Sequence, residues 1–274
     1  MKAVSLLSVI FLFTILSCES VYKTYTKEVT AEKNAHPYLG QEVISREKIA
    51  CLPVPLQRYL IRCGWVGKTM PLHAEVIWDE VEFKMQREKN WMPVQCLQFN
   101  SVPEPARFAY LSAPKLGINA FVGRDKYQHG KANMLIRLLG LFTFQDVSGM
   151  DMNESALVTI LAEATFIPGY IFQPYIQWEE KDSSSVKATI KWNEVSVSGI
   201  FHFNEAGDMI RFESDDRNMT LKNGTTKKVH WIVRTDEYTE ENGIRRPAYV
   251  QIIWQDEKGE YAYYRGRITK LVFD

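Results

Sequence analysis

The chain has no charge of either sign to spare. Its 274 residues carry 33 Lys and Arg against 33 Asp and Glu, so no net field draws it to nucleic acid or to an anionic membrane surface. Cysteine is scarce, at four, and no two stand in CxxC spacing. The five histidines, at 36, 73, 129, 202 and 230, form neither HExxH nor HxH, which excludes the usual zinc frameworks. There is no GxSxG elbow and no glycine-rich phosphate loop. No metal, cofactor or nucleic-acid partner is therefore expected. Beyond the first seventeen residues, long apolar runs are missing too.

What is present begins with those seventeen. Met1-Lys2 is followed by an uncharged apolar and small stretch from Ala3 to Ser17, a signal-peptide pattern too short for a comfortable membrane span. Ile15-Leu16-Ser17-Cys18 then resembles the bacterial lipobox. That resemblance implies a diacylglyceryl group on the Cys18 thiol, cleavage before it, and acylation, for example by palmitate, of the new amino terminus. Two or three chains, at about 0.8 kcal/mol per buried methylene, anchor a protein stably. Residues 1–17 are thus read as a lipoprotein signal, 18–45 as a lipidated cysteine and polar tether, and 46–274 as one domain. The expected location is the bacterial cell envelope, at the outer membrane, with the membrane itself as a partner through the anchor.

In the remainder, apolar residues mostly alternate. Ala74, Val76 and Trp78 share a parity that passes to Val81, Phe83 and Met85, which predicts a bulge near Asp79-Glu80. Eleven or twelve strands follow, joined by turns such as Asn204–Asp208 and Glu241-Asn-Gly243. A strand is expected over 170–180. Two segments have helical spacing. Leu56, Tyr59, Leu60 and Cys63 form a stripe behind Pro55 and end at Gly64. Ala156, Leu157, Ile160, Leu161 and Ala164 form another, with Asn153 as the candidate N-cap. The predicted fold is mainly β (α+β): a large curled antiparallel sheet, or incomplete β-barrel, around one or two helices.

Leu52-Pro-Val-Pro-Leu-Gln-Arg-Tyr-Leu60, Gly123-Arg-Asp-Lys-Tyr127 with Gly130, and Leu161-Ala-Glu163 with Pro168 occur in an order that resembles a bacterial family of unknown function. Its members carry LPxPxxRYL, GxDxYxxG and LAExxxxP motifs. Phe166 stands where many members have Trp. The family supplies no activity. At fold level the pattern is similar to the periplasmic lipoprotein-carrier proteins, which implies a hollow for acyl chains.

Candidate site residues follow from these motifs. Glu163, in an apolar setting, needs a cation, with Arg217 or Arg58 as supplier. Asp125 reads as a hairpin-turn residue accepting backbone N–H bonds. Glu163, Asp125 and Arg217 form either a structural ion-pair set or an acid–base set. The aromatic stretch after the second helix, with Phe166, Ile167, Tyr170, Phe172 and then Trp178, either plugs the end of the sheet or lines an apolar cavity. Cys51, Cys63 and Cys96 read as buried free thiols, with a Cys63–Cys96 bridge left open. The functional expectation is an envelope lipoprotein that binds a lipid or acylated partner in the hollow of its sheet. Alternatives are an envelope hydrolase using the buried carboxylates, or a structural scaffold lipoprotein.

Overall fold

Period-two alternation becomes strand wherever it lasts, and in this chain it builds one sheet. The computed structural model describes residues 21–37, 42–115, 118–140, 142–221 and 224–274. Residues 1–17 and Cys18 lie outside these. From the middle of the sheet, β1 (His73–Phe83), β2 (Met92–Ser101), β3 (Ala106–Lys115), β4 (Ile118–Gln128), β5 (Lys131–Leu138) and β6 (Phe142–Ser148) meander to one edge. Helix α4 (Met150–Ala162) then crosses the concave face, packing on β4, β5, β8 and β9. Two 3-10 turns, Glu163–Thr165 and Pro168–Phe172, bring the chain to the opposite edge.

A second meander returns from there. It runs through β7 (Ile176–Asp182), β8 (Ser185–Trp192), β9 (Val195–Phe203), β10 (Met209–Ser214), β13 (His230–Glu241), β14 (Ile244–Asp256) and β15 (Gly259–Phe273). Strand β15 pairs with β1, so the first and last strands close the middle of a 13-stranded antiparallel sheet. Strands β11 (Asn218–Thr220) and β12 (Thr226–Lys228) form a separate ribbon. Edge strands β6 and β7 do not pair with each other. The sheet is curled but open, the incomplete barrel that the alternation predicts.

Local signals account for most elements. Helix α2 (Arg46–Ile49) starts where the Ser45 side chain accepts from the Lys48 N–H. Helix α3 (Val54–Arg62) carries Pro55 in its first turn and buries Leu56, Tyr59 and Leu60. In β1 the register against β2 shifts between Ile77 and Val81, and Glu80 has φ 49°; the bulge sits where the parity changes. Two expectations are corrected. Helix α4 begins at Met150 after Gly149, so Asn153 is no N-cap; its side chain instead accepts from the Ala132 N–H at 2.7 Å, tying the helix to β5. The strand expected from 170 starts only at Ile176, because Pro168 and Pro174 remove the N–H groups a ladder would need.

The largest difference lies at the amino-terminal side. Residues 21–35, read as part of a tether, are helical (α1). Val21 and Tyr25 are buried against Phe99, Phe108, Tyr110 and Val122 on the convex face of β2–β4. Polar residues complete the docking: Glu28 meets Arg124 at 2.6 Å and Lys126 at 3.0 Å, and Lys33 meets Glu75 at 2.7 Å. A helix that docks largely through charge shows little hydrophobic stripe. Val21, Tyr25 and Val29, one residue per turn, were its whole apolar signal.

Candidate functional site

The inward parity of β1–β4 and β13–β15 faces the last turn of α4, and at two points the facing residues are alanines. Ala109 on β3 and Ala162 on α4 leave between them an apolar chamber of about 150 Å³. Its walls include Trp78, Leu111, Phe166, Trp231 and Val250. A second hollow of about 590 Å³ shares Phe83, Met134, Arg217 and Tyr263 with the first, so the chamber opens into a vestibule. Met85, Met152, Met219 and Trp254 line that outer part. Thioethers are adaptable and polarizable, and they suit a surface that must accept a flexible apolar guest.

A polar cluster sits on the β2–β4 side of the chamber. Arg107 donates through Nε to Glu163 at 2.9 Å and through Nη1 to Asp125 at 3.0 Å. The Asn100 side chain donates to the other Glu163 oxygen at 2.7 Å. Gln98 links Trp78 Nε1, at 3.1 Å, to Asn100, at 2.7 Å. Burial by itself would lower the pKa of Arg107, but Glu163 and Asp125 outweigh it and hold the value above the ordinary one. Cys96 lies beside this group as a free thiol, and burial pushes its pKa up to about 11. It is inert at neutral pH.

The neck between chamber and vestibule is held by Arg217. Its guanidinium carbon lies 4.4 Å from the centroid of Trp231 and 5.9 Å from that of Trp254. Nη1 donates to the Ser155 carbonyl and to Thr159 Oγ1 on α4, while Nε is buried with no acceptor.

The structure thus gathers Glu163, Asp125, Arg217 and Phe166 around one hollow. It does not bring Ile167, Tyr170, Phe172 or Trp178 there. Ile167 and Tyr170 are fully buried in the main core, and Phe172 and Trp178 pack against it. Gly169 is pressed so close to Pro71 that a Cβ would stand 2.0 Å from its carbonyl oxygen. This segment plugs one end of the sheet.

Three further readings change. Asp125 is a mid-strand residue opposite Ala109 and Met134, and the β4–β5 turn falls at His129-Gly130. The cation for Glu163 is Arg107, whereas Arg58 bonds the Ser183 carbonyl. Cys51 is exposed; Cys63 and Cys96 are buried, and all three are free. Arg107 escaped the sequence reading, though a signal existed: it is the lone charge in Ala106–Leu111, as Glu163 is in Ile160–Pro168. Two solitary opposite charges in apolar stretches are candidates to meet. Among the described residues no cluster of His, Cys, Asp and Glu could hold a metal, and no helix is long and apolar enough to cross a membrane.

An open antiparallel sheet, curled around a crossing helix and holding a largely apolar hollow, defines the class of this domain. The chain belongs to the family of unknown function DUF6544, whose sequence model matches residues 42–266. Among solved structures it is similar to a DUF1329 family protein from Desulfovibrio piger, at 9% identity, covering 85% of this chain and 94% of that one with a TM-score of 0.45. It is also similar to a LolA superfamily protein from Nitrosomonas europaea, at 9% identity, covering 81% of this chain and 94% of that one with a TM-score of 0.45. No curated relative matches.

Proposed function

We propose that this protein is a cell-envelope lipoprotein, anchored through Cys18, that binds the acyl chain of a lipid or of an acylated partner in the hollow of its sheet. The carrying observation is the chamber itself, walled largely by aromatic and aliphatic side chains and adjoining a vestibule of about 590 Å³ whose wall mixes methionines and Trp254 with charged groups such as Lys84, Arg87 and Lys258. Ligand sites commonly measure about 300–1,000 Å³ and are mostly apolar with a few placed polar groups. The carboxylates of Glu163 and Asp125 are both engaged by Arg107, so they serve the cluster and support the binding reading over hydrolysis.

Filling the chamber tests the proposal. Ala109→Phe places a ring in the space that the small side chain leaves open. Native mass spectrometry of the full chain, released from membranes in digitonin, should show an apolar adduct on the wild type and its loss from the variant. A wild-type chain that stays free of adduct when offered alkyl amphiphiles would end this reading.

A further inference from the structure

The neck of the hollow holds a cation that the protein itself leaves without a counter-charge. Among the described residues, the contacts of Arg217 are a carbonyl, a hydroxyl and two indole rings, none of them a carboxylate. The neighbouring acids are committed elsewhere. Asp216 accepts from the Ser198 N–H at 2.8 Å and lies 3.5 Å from Lys228, which also meets Glu154 at 3.3 Å. Nη1 carries the bonds to α4, and the Nε–H has no acceptor. A half-buried guanidinium with an unsatisfied N–H against apolar walls is costly to keep unless something supplies oxygen atoms. The Nε edge of guanidinium is also the one that grips carboxylate and phosphate side-on with two parallel bonds.

The chamber beyond has the opposite character. Its polar cluster sets the carboxyl groups of Asp125 and Glu163 against the single guanidinium of Arg107, whose Nε and Nη1 are both taken by them. An anion there would meet two acids and no free cation. The walls between are apolar.

We infer that the ligand is a single-chain amphiphile with an oxyanion head, whose tail enters the chamber and whose carboxylate or phosphate stops at the neck on Arg217. This inference rests on the binding reading above and adds polarity to it. The hollow sorts the two ends of its guest, because among the described residues Arg217 at the neck has no carboxylate partner, Lys84 and Lys258 add positive charge on the vestibule side, and the chamber side presents Asp125 and Glu163. Trp231 and Trp254 lie within cation–π distance of the guanidinium and Nη1 is bonded to α4, so the group is preorganised before the guest arrives.

The test compares three probes that share a tail: dodecanoate, dodecyl phosphate and dodecan-1-ol. Each is offered to the full chain in digitonin and its occupancy read by native mass spectrometry. Both anions should bind the wild type about tenfold more tightly than the alcohol, the effect of a charge-assisted hydrogen bond. In Arg217→Gln the preference should vanish while alcohol binding persists. Arg217→Lys, which keeps the charge without the fork, should restore part of it. Equal wild-type binding of anions and alcohol overturns the head-group assignment and leaves the apolar hollow standing. Binding of none of the three overturns the hollow as well. If Arg217→Gln does not fold, the wild-type preference and its reduction in Arg217→Lys still decide the matter.

Discussion

Two stretches of the same sheet are built from similar residues and do opposite things. At the β7–β10 end, the turn segment Pro168–Phe172 and helix α3 lie over the concave face. Tyr59, Tyr170, Phe201 and Phe212 fill the space completely. Over the middle of the sheet, β1–β4 and β13–β15, aromatic side chains are present too, and there one face of α4 and strand β11 stand opposite them around a hollow. Aromatic content therefore does not decide between a packed barrel and a hollow one. What decides is whether a second layer of chain passes over that part of the sheet.

Substitutions can break this comparison from either side. The largest effect should come from the charge cluster of the hollow stretch. Arg107→Leu strands the buried carboxyl group of Glu163 and the half-buried one of Asp125 and should cost about 3 kcal/mol in chemical denaturation, the lower part of the range for breaking a buried ion pair. A smaller change would mean that water enters the chamber and solvates the acids. Next comes the same replacement made in both stretches. Ala188, fully buried in β8 at the filled end, has no room for a ring, and Ala188→Phe should cost about 1–3 kcal/mol through overpacking. Ala109→Phe should cost clearly less, since the chamber takes the ring. Equal costs would show that the hollow collapses in solution.

The smallest effect concerns the ion cluster of the filled end. Asp208 meets Arg62 of α3 at 2.9 Å and Arg245 of β14 at 3.0 Å. Burial would raise its pKa, but the bonds from Arg245 and Arg62 outweigh that and hold it below the ordinary aspartate value. Its contribution to stability is therefore complete above the unfolded-state pKa, roughly 4, and is lost as the pH falls through the lower folded-state value. Denaturation midpoints of the wild type should drop across that window, and those of Asp208→Asn should drop less steeply. Parallel profiles would assign the acid sensitivity to other groups.

Much of this fold was legible because alternation and turn chemistry are local. The β1 bulge follows from a change of parity at Asp79-Glu80, and α3 from Pro55, a four-residue stripe and Gly64. The site was legible only in part, since Glu163, Asp125, Arg217 and Phe166 carried motifs or conspicuous polarity. Arg107 was missed because its role depends on β3 lying beside β4 and beneath α4, a matter of topology. The hollow is harder still. Its wall includes the small residues Ala109 and Ala162, and a small residue looks alike in sequence whether its neighbour is near or absent. Helix α1 was hidden for a third reason: much of its docking runs through Glu28, Glu32 and Lys33, which read as solvent-facing charges.

That helix changes the length of the leash. Under the proposed anchoring at Cys18, a chain extended from there to Ile44 would swing the domain roughly 90 Å from the membrane, at ~3.3–3.6 Å per residue. With Val21 clamped to the outside of the sheet, only Glu19 and Ser20 separate it from Cys18, a reach of roughly 10 Å. On the proposed reading the protein cannot ferry cargo across an aqueous gap while it stays anchored. Such an anchored domain would be a fixture of one bilayer, taking up and yielding its guest at the membrane to which it is pinned.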